Sequence, residues 1–114
     1  MIKSSFNRNT AGQISSFEVS GHANAGPFGS DIVCAAVSAL TISTVNGIDA
    51  LAGFAPIVET NEDESGYLYV ELLSAINQEQ MNIAQILVEN LLLGLQAIEK
   101  ENFDFLEVNT TTKN

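Results

Sequence analysis

The only histidine and the only cysteine of this chain lie in one short stretch, residues 21–40, with the sequence GHANAGPFGSDIVCAAVSAL. His22 lies at the start of a glycine-rich segment, and Cys34 follows at the start of an apolar, alanine-rich segment. A cysteine reacts as its thiolate, which a neighbouring imidazole and the N-terminus of a helix both favour. This pairing predicts a cysteine hydrolase in which Cys34 attacks a carbonyl carbon and His22 transfers the proton.

Other roles for these residue types compete with that interpretation. A buried cysteine is often only a small apolar residue, and an alanine-rich helix would accommodate one. Zinc takes three or four ligands, so one His and one Cys would need carboxylates to complete a site. Gly26 and Gly29 are followed by no GK[ST], so they do not indicate a phosphate-binding loop. We therefore expect no metal and no cofactor.

Three residues near Cys34 are candidates for supporting roles. Asp31 or Ser30 could cap the following helix, and a cap at Asp31 would place Cys34 at the third helical position. Asp31 could alternatively orient His22. Ser38 lies one helical turn beyond Cys34 on the same face, so it could line the site or simply pack there. N–H groups at the helix start are candidate donors to an oxyanion.

The segment between the histidine and the cysteine is expected to be a loop over residues 21–30. Gly21, Gly26 and Gly29 would let this loop open for a peptide, or would only satisfy ordinary turn geometry. Phe28, between two of these glycines, would form an aromatic tip that covers Cys34 at rest, or would pack statically on the core. The first alternative predicts a substrate-gating loop.

The hydrophobic pattern predicts the elements that position this stretch. Alternation and turn residues predict two hairpins, and periodic apolar positions predict two helices. In the first helix Ile32, Val33, Val37, Leu40 and Leu51 are spaced for burial, and Gly53 ends it. The predicted strands are residues 1–8, 13–20, 57–62, 67–72 and 103–108, the helices span about 32–52 and 77–100, and residues 109–114 are expected to fray.

The resulting order ββαββαβ predicts the fold class. We expect an α/β protein of the α+β type, with two main helices on one face of a largely antiparallel sheet of about five strands. Residues 1–114 fit a single domain. The second helix is predicted to begin with a capping box of Asn77 and Gln80. Its predicted inner stripe consists of Met81, Ala84, Val88, Leu91, Leu95 and Ile98. Leu87, Leu92 and Leu93 widen its apolar surface beyond one stripe, so the sheet could cover part of it and a second subunit the remainder, as in a homodimer.

Composition limits the partners and the compartment. The formal net charge is −10, with only 4 Lys and Arg residues, so a nucleic acid would be repelled whereas a basic protein would be attracted. No run of about 18 residues is free of polar interruption, so we expect no membrane span. A single cysteine forms no internal disulfide, which fits the cytoplasm.

The stretch resembles the ribosomal-processing cysteine protease family, the Prp family. The resemblance lies in Gly21-His22-Ala23, Gly26, Gly29, the run DIVCAA at 31–36 and Ser38-Ala39, and it extends over essentially the whole chain. It implies a small dimeric α/β protein in which His22 and Cys34 form a catalytic dyad. It also implies a substrate, the twenty-seventh protein of the large ribosomal subunit, whose short N-terminal extension is removed. Because that extension ends in aromatic residues, an apolar pocket beside Cys34 is implied.

A non-enzymatic protein is the competing class. An acidic dimer that binds the same basic ribosomal protein as an assembly factor would explain the charge and the apolar second helix equally well. It would not explain why the only histidine and the only cysteine share one loop-helix unit.

Overall fold

The computed structural model describes residues 1–21, 28–61 and 66–113, and for residues 28–30 the backbone alone. Its element order is the predicted ββαββαβ. The strands are β1 (Ile2–Arg8), β2 (Ile14–Ser20), β3 (Ile57–Thr60), β4 (Leu68–Glu71) and β5 (Leu106–Thr112), and the helices are α1 (Phe28–Gly47), continued by a π-helical turn (Ile48–Ala52), and α2 (Gln78–Glu101).

The five strands form one sheet in the order β3-β4-β2-β1-β5. The pairs β1–β2, β2–β4 and β3–β4 are antiparallel, whereas β1 and β5 are parallel. The prediction of a largely antiparallel sheet with two helices is therefore confirmed. The parallel pair arises because α2 carries the chain from β4 across the sheet to the far side of β1.

The helix-facing side of the sheet is apolar. Ile2 and Phe6 of β1 and Phe17 and Val19 of β2 are buried, as the alternation of the two strands predicted. The Phe6 and Phe17 rings stack with their centroids 5.3 Å apart. Because side chains on one face of a strand alternate with those on the other, the opposite face of the sheet carries the polar residues.

Helix α2 follows its sequence prediction closely. Asn77 accepts a hydrogen bond from the Gln80 N–H, and the Gln80 side chain accepts one from the Asn77 N–H, so the capping box is confirmed. Gln85 bonds both backbone groups of Ile14, which fixes α2 to the start of β2. The predicted inner stripe packs into the core with Ala84, Val88, Leu91 and Leu95 buried and Met81 and Ile98 partly buried.

Helix α1 begins earlier than predicted. Its first residue is Phe28, so Phe28 and Gly29 are helical rather than part of a loop, and neither Ser30 nor Asp31 is the residue before the helix. Asp31 instead lies within the first turn. A proline precedes Phe28 in the sequence, and proline is common at the beginning of a helix because its φ is already helical. The sequence prediction had assigned this proline to the loop over residues 21–30.

The burial of α1 also differs from the prediction. Val33 and Val37 are buried, but Ile32 is 64% exposed and Leu51 65% exposed, and Leu40 is also exposed. The apolar residues of α1 therefore extend beyond the face that the sheet covers. Gly53 ends the π-helical turn with φ 78°, a left-handed conformation that glycine adopts without strain, as its predicted role requires.

The last strand begins later than predicted. Residues after α2 form a turn in which the Phe105 N–H bonds the Asn102 carbonyl, and the Asn102 side chain bonds the Ile98 carbonyl. Strand β5 then pairs with the whole of β1, up to Arg8 and Thr112. The expectation that residues from 109 onward fray is wrong for Asn109–Thr112, because β-branched threonines suit the parallel ladder.

Candidate active site

Cys34 lies on α1, one turn after the first turn of the helix. It is partly buried and packs against the core beside Val33, which is fully enclosed. His22 and Gly26 fall outside the described residues. The structure thus gives the position of the predicted nucleophile, and the predicted pairing of the two side chains stays a prediction.

The early start of α1 changes how the helix acts on the thiol. Counted from Phe28, Cys34 is the seventh helical residue rather than the third. Free N–H groups and the positive end of the helix dipole are confined to about the first turn. Helical side chains lean toward the N-terminus, so the thiol is directed back over that turn. Cys34 therefore lies beyond the helical turn that carries the free N–H groups, so the prediction that places it at the third helical position is wrong.

Asp31 is exposed and lies three residues before Cys34, where the two residues are neighbours on the helix surface. A carboxylate in the first turn stabilises the helix N-terminus. Whether Asp31 also orients His22 stays a prediction, because His22 lies outside the described residues.

Ser38 lines a small cavity between α1 and the sheet. Val37, Thr41 and Ile42 of α1 form one wall, and Val19 of β2 and Leu68 of β4 form the other. The Thr41 hydroxyl donates to the Val37 carbonyl at 2.8 Å, so its polar capacity is used within the helix. The cavity is therefore mainly apolar, with the Ser38 hydroxyl at its edge, one turn from Cys34.

The volume of this cavity is about 50 Å³. Pockets that enclose small ligands are usually about 300–1,000 Å³. The cavity has the apolar chemistry expected for an aromatic residue of a substrate, but it is too small to admit one without movement of its walls. Its existence beside the cysteine-bearing helix fits the implied apolar pocket, and its size does not.

Gly21 ends β2 and begins the chain segment that contains His22. Its φ is 80°, and a Cβ at this position would lie 2.5 Å from the Met1 carbonyl oxygen. Both facts require glycine, because other residues rarely adopt this φ and the contact is far closer than any real Cβ contact. Gly21 therefore has a steric role at the point where the chain leaves β2. The opening of the loop for a peptide, which was one of its two predicted roles, stays a prediction.

Sequence reasoning missed the sheet residues of this region. Val19 and Leu68 are directly opposite each other on β2 and β4 and form the sheet wall of the cavity. Each was predicted to lie in a strand, but the pairing of two strands about fifty positions apart cannot be read from a single sequence. Thr41 and Ile42 were visible only as further residues of the helix.

The described residues contain no group of three or more His, Cys, Asp or Glu side chains that could hold a metal ion. Two helical segments, Asp31–Ala52 and Gln78–Glu101, are long and apolar enough to cross a membrane by length and composition. Core helices of soluble proteins satisfy the same criteria, and both segments contribute buried residues to the core described above. They are weak evidence for a membrane span.

Comparison with known proteins gives consistent matches along the chain. The family model described as "Cysteine protease Prp" matches residues 1–107. The ribosomal processing cysteine protease Prp of Bacillus subtilis (strain 168) is 39% identical over 110 residues, which are 96% of this chain and 97% of that protein. The protease of the same name from Staphylococcus aureus (strain Mu50 / ATCC 700699) is 31% identical over 96% of this chain and 98% of that protein.

Solved structures share the fold. SMU.848 from Streptococcus mutans superposes with a TM-score of 0.88 at 34% identity and covers 99% of this chain and 96% of its own. The essential ribosomal processing protease Prp from S. aureus, in complex with a substrate peptide, has a TM-score of 0.84 at 27% identity, over 97% of this chain and 100% of its own. The same protease with a covalently linked product peptide has a TM-score of 0.81 at 30% identity, with the same coverage.

Proposed function

Since this chain belongs to the Prp family of cysteine proteases, we propose that it removes a short N-terminal extension from a basic protein of the large ribosomal subunit, the twenty-seventh. The observation that carries the proposal is 39% identity over 96% of the chain to a ribosomal processing cysteine protease. A relative holds a substrate peptide, and in another crystal a covalently linked product peptide. The strong negative charge of this chain suits a basic substrate.

The proposed reaction begins at the Cys34 thiol. His22 removes its proton, and the thiolate attacks the scissile carbonyl carbon to form a tetrahedral oxyanion. Collapse of this intermediate breaks the C–N bond, and the imidazolium protonates the leaving amine, which is the new N-terminus of the ribosomal protein. Water, deprotonated by His22, then attacks the thioester, so that the extension is released as a carboxylic acid and the thiol is restored.

The remaining candidate residues support this pair. Asp31 orients the imidazole across the first turn of α1, where its exposed carboxylate lies three residues before the nucleophile. Ser38 contributes a hydroxyl at the edge of the apolar cavity, which widens to accept an aromatic residue of the extension. The gating role of Gly26, Phe28 and Gly29 stays a prediction. It now refers to a segment that ends in the first turn of α1, since Phe28 and Gly29 are helical.

We also propose a cytoplasmic homodimer without nucleic acid. Large apolar side chains remain exposed on both helices, including Ile42 at 56% and Leu93 at 65%. The two helices lie close together there, since a Cβ at Gly94 would be 3.2 Å from the Leu40 Cδ1 atom. A second copy that covers this joint face would remove it from water, as symmetric dimers do. Sedimentation equilibrium measures the mass that distinguishes a dimer from a monomer.

The test of the proteolytic function is incubation of the protein with the extended ribosomal protein and with its short extension peptide. Mass spectrometry identifies the products, and wild type should convert the extended form to one with a new N-terminus. An assembly factor would bind the extended protein and leave its mass unchanged. Alkylation of Cys34 gives a second criterion, because His22→Ala should slow the reaction near neutral pH if the imidazole promotes thiolate formation. A packing cysteine would react slowly in both proteins.

A further inference from the structure

The face of the sheet opposite the helices carries a broad groove. Its volume is about 630 Å³, more than ten times that of the cavity beside Ser38. Its floor is polar, with Asn7 and Ser16 hydrogen-bonded to each other at 3.0 Å across β1 and β2. Neither α1 nor α2 packs on this side, so within residues 1–21, 28–61 and 66–113 this sheet face is not covered by a helix.

Two tyrosine–glutamate pairs lie on this face. The Tyr67 hydroxyl donates to Glu18 at 3.0 Å, and the Tyr69 hydroxyl donates to Glu71 at 2.7 Å. These hydrogen bonds raise the pKa of both phenols, so both remain neutral donors at physiological pH. A carboxylate has about four acceptor positions, so each glutamate keeps most of its accepting capacity after it accepts from a tyrosine. Tyrosine rings beside carboxylates offer a cation both a charge partner and an aromatic face.

The charges on this face are segregated. Glu59 of β3 lies opposite Tyr69 in the ladder, so it adds a third carboxylate to the pairs on β2 and β4. Two lysines lie on the same face, towards β1 and β5. Lys3 belongs to β1 and is opposite Glu107 of β5, and Lys113 follows the end of β5. Strands β2, β3 and β4 contain no Lys or Arg. We call the half that carries Glu18, Glu59, Glu71, Tyr67 and Tyr69 the acidic sheet surface.

The acidic sheet surface lies on the reverse side of the sheet from the cavity that Ser38 lines. Successive residues of a strand point to opposite faces. Val19 and Leu68 line the cavity on the helix side, and their chain neighbours Glu18 and Tyr67 meet on the other side. A polypeptide that passes over this end of the sheet can therefore contact both regions, which are separated by the thickness of a single sheet.

We propose that the acidic sheet surface docks a lysine- and arginine-rich segment of the substrate protein itself, outside the extension that is cut away. This inference rests on the proposed function for the identity of the substrate. The proposal rests on charge complementarity: three carboxylates and two neutral tyrosines lie on strands without Lys or Arg, and Lys113 is the one cation among the described residues that line the same groove. Such a surface suits a basic polypeptide and repels a nucleic acid. Docking of this kind raises the affinity and the encounter rate for the whole protein, whereas the isolated extension peptide gains neither.

The test measures binding in the Cys34→Ala background, which prevents cleavage during the measurement. Isothermal titration or biolayer interferometry compares Glu18→Gln/Glu71→Gln with Glu79→Gln/Glu101→Gln, a control that removes two exposed carboxylates from the ends of α2. Glutamine preserves the shape and still accepts from the tyrosines. The titrant is the mature ribosomal protein without its extension. It should bind the Cys34→Ala protein, and the sheet variant should weaken this binding about tenfold while the control changes it less than about twofold.

Salt and oligomeric state complete the test. Raising salt from about 0.05 M to about 0.5 M should remove most of the difference between the sheet variant and the control, because surface charges are then screened. Equal affinities of the two variants, or no binding of the mature protein, would overturn the docking proposal even where the extended protein is cleaved normally. Failure of wild type to cleave the extended protein would instead refute the proposed function. If the sheet variant alone loses dimer mass, the surface contacts a second copy of this chain, and the proposal is wrong.

Discussion

Helices α1 and α2 pack side by side on the same sheet, yet they differ in how completely the core explains their residues. Helix α2 has a capping box at its start, a complete inner stripe, and polar side chains that bond the sheet. Helix α1 carries the cysteine, small residues such as Ala35, Ala36 and Ala39, and large apolar residues that the fold leaves exposed. The inner stripe of α2 is explained by the packing of one chain, although Ile86 and Leu93 remain exposed. The small and exposed residues of α1 are not explained by the core alone, and the proposed substrate and second subunit would account for them.

The difference indicates that α2 mainly stabilises the fold, whereas α1 carries the predicted nucleophile. A helix that is fixed by its cap and its buried stripe tolerates little change in the core, and the proposed mechanism uses no residue of α2. A helix that displays small side chains beside a cavity can let a peptide approach closely, at the expense of buried area. Variants that separate turnover from the free energy of unfolding test this division directly.

The largest effect is expected for Cys34→Ala on α1. Cleavage of the extension peptide should fall by more than about a thousandfold, because no other group in the proposed mechanism can form the thioester. Removing one partly buried sulfur should change the free energy of unfolding by about 1 kcal/mol or less. Peptide hydrolysis followed by mass spectrometry and urea unfolding followed by circular dichroism measure the two quantities. Turnover at the wild-type rate would refute the assignment of Cys34 as the nucleophile.

Leu95→Ala should have the opposite signature on α2. Leu95 is completely buried, so its truncation leaves a cavity and should lower the free energy of unfolding by about 2–5 kcal/mol. Peptide turnover per folded molecule should stay close to that of wild type. The neighbouring Gln96→Ala is the matched control, because Gln96 is exposed and should change stability by less than about 0.5 kcal/mol. Loss of turnover without loss of stability in Leu95→Ala would contradict the division between the helices.

The contrast also explains which features could be predicted from the sequence. Periodicity and local chemistry are strong in α2, so its cap at Asn77 and its stripe through Leu95 were predicted correctly. In α1 the signals conflicted: glycine and proline indicated a loop, whereas Phe28 and Gly29 are helical. The apolar periodicity there predicted burial for Ile32 and Leu51, which are exposed, because a sequence does not show which apolar positions of a helix the sheet will cover.

Long-range pairings were the other part that the sequence could not supply. The hairpins were predicted because a turn between two strands is local. The approach of β5 to β1 and of β4 to β2 depends on the whole chain. The cavity and the acidic sheet surface both arise from the β2–β4 pairing, so neither was predicted, although every residue that forms them had been placed in a strand or helix.

Gly21→Ala tests the steric requirement at the point where the chain leaves β2. The new Cβ would meet the Met1 carbonyl oxygen at 2.5 Å on a backbone with φ 80°, so we expect a loss of about 1–3 kcal/mol in the free energy of unfolding. Gly12→Ala is the matched control, since its φ is 86° and nothing lies within 4 Å of its Cβ. The difference between the two variants, measured by urea unfolding, isolates the Met1 contact. Equal losses would show that the contact relaxes without cost.

The smallest effect concerns the ion pair that ties α2 to the sheet. Arg8 of β1 donates two hydrogen bonds to Glu89 of α2, at 2.5 and 2.9 Å. The Arg8 hydrogen bond lowers the pKa of Glu89 below its ordinary value of 4.5. A carboxylate with a lowered folded pKa stabilises the protein above its unfolded pKa, and this contribution is lost as the pH falls through the folded pKa.

We therefore expect Glu89→Gln to lower the free energy of unfolding at pH 7 by about 0.2–1 kcal/mol, because both side chains are partly exposed to water, at 27% for Arg8 and 41% for Glu89. Below the folded pKa of Glu89 the wild type and the variant should converge, since the wild-type carboxylate is then also neutral. Urea unfolding at a series of pH values between neutral and acid measures this difference. Peptide turnover at pH 7 should be the same for both proteins, because Glu89 lies on α2 and has no role in the proposed mechanism. A difference in stability that stays constant across the series would show that the glutamine disturbs packing rather than an ion pair.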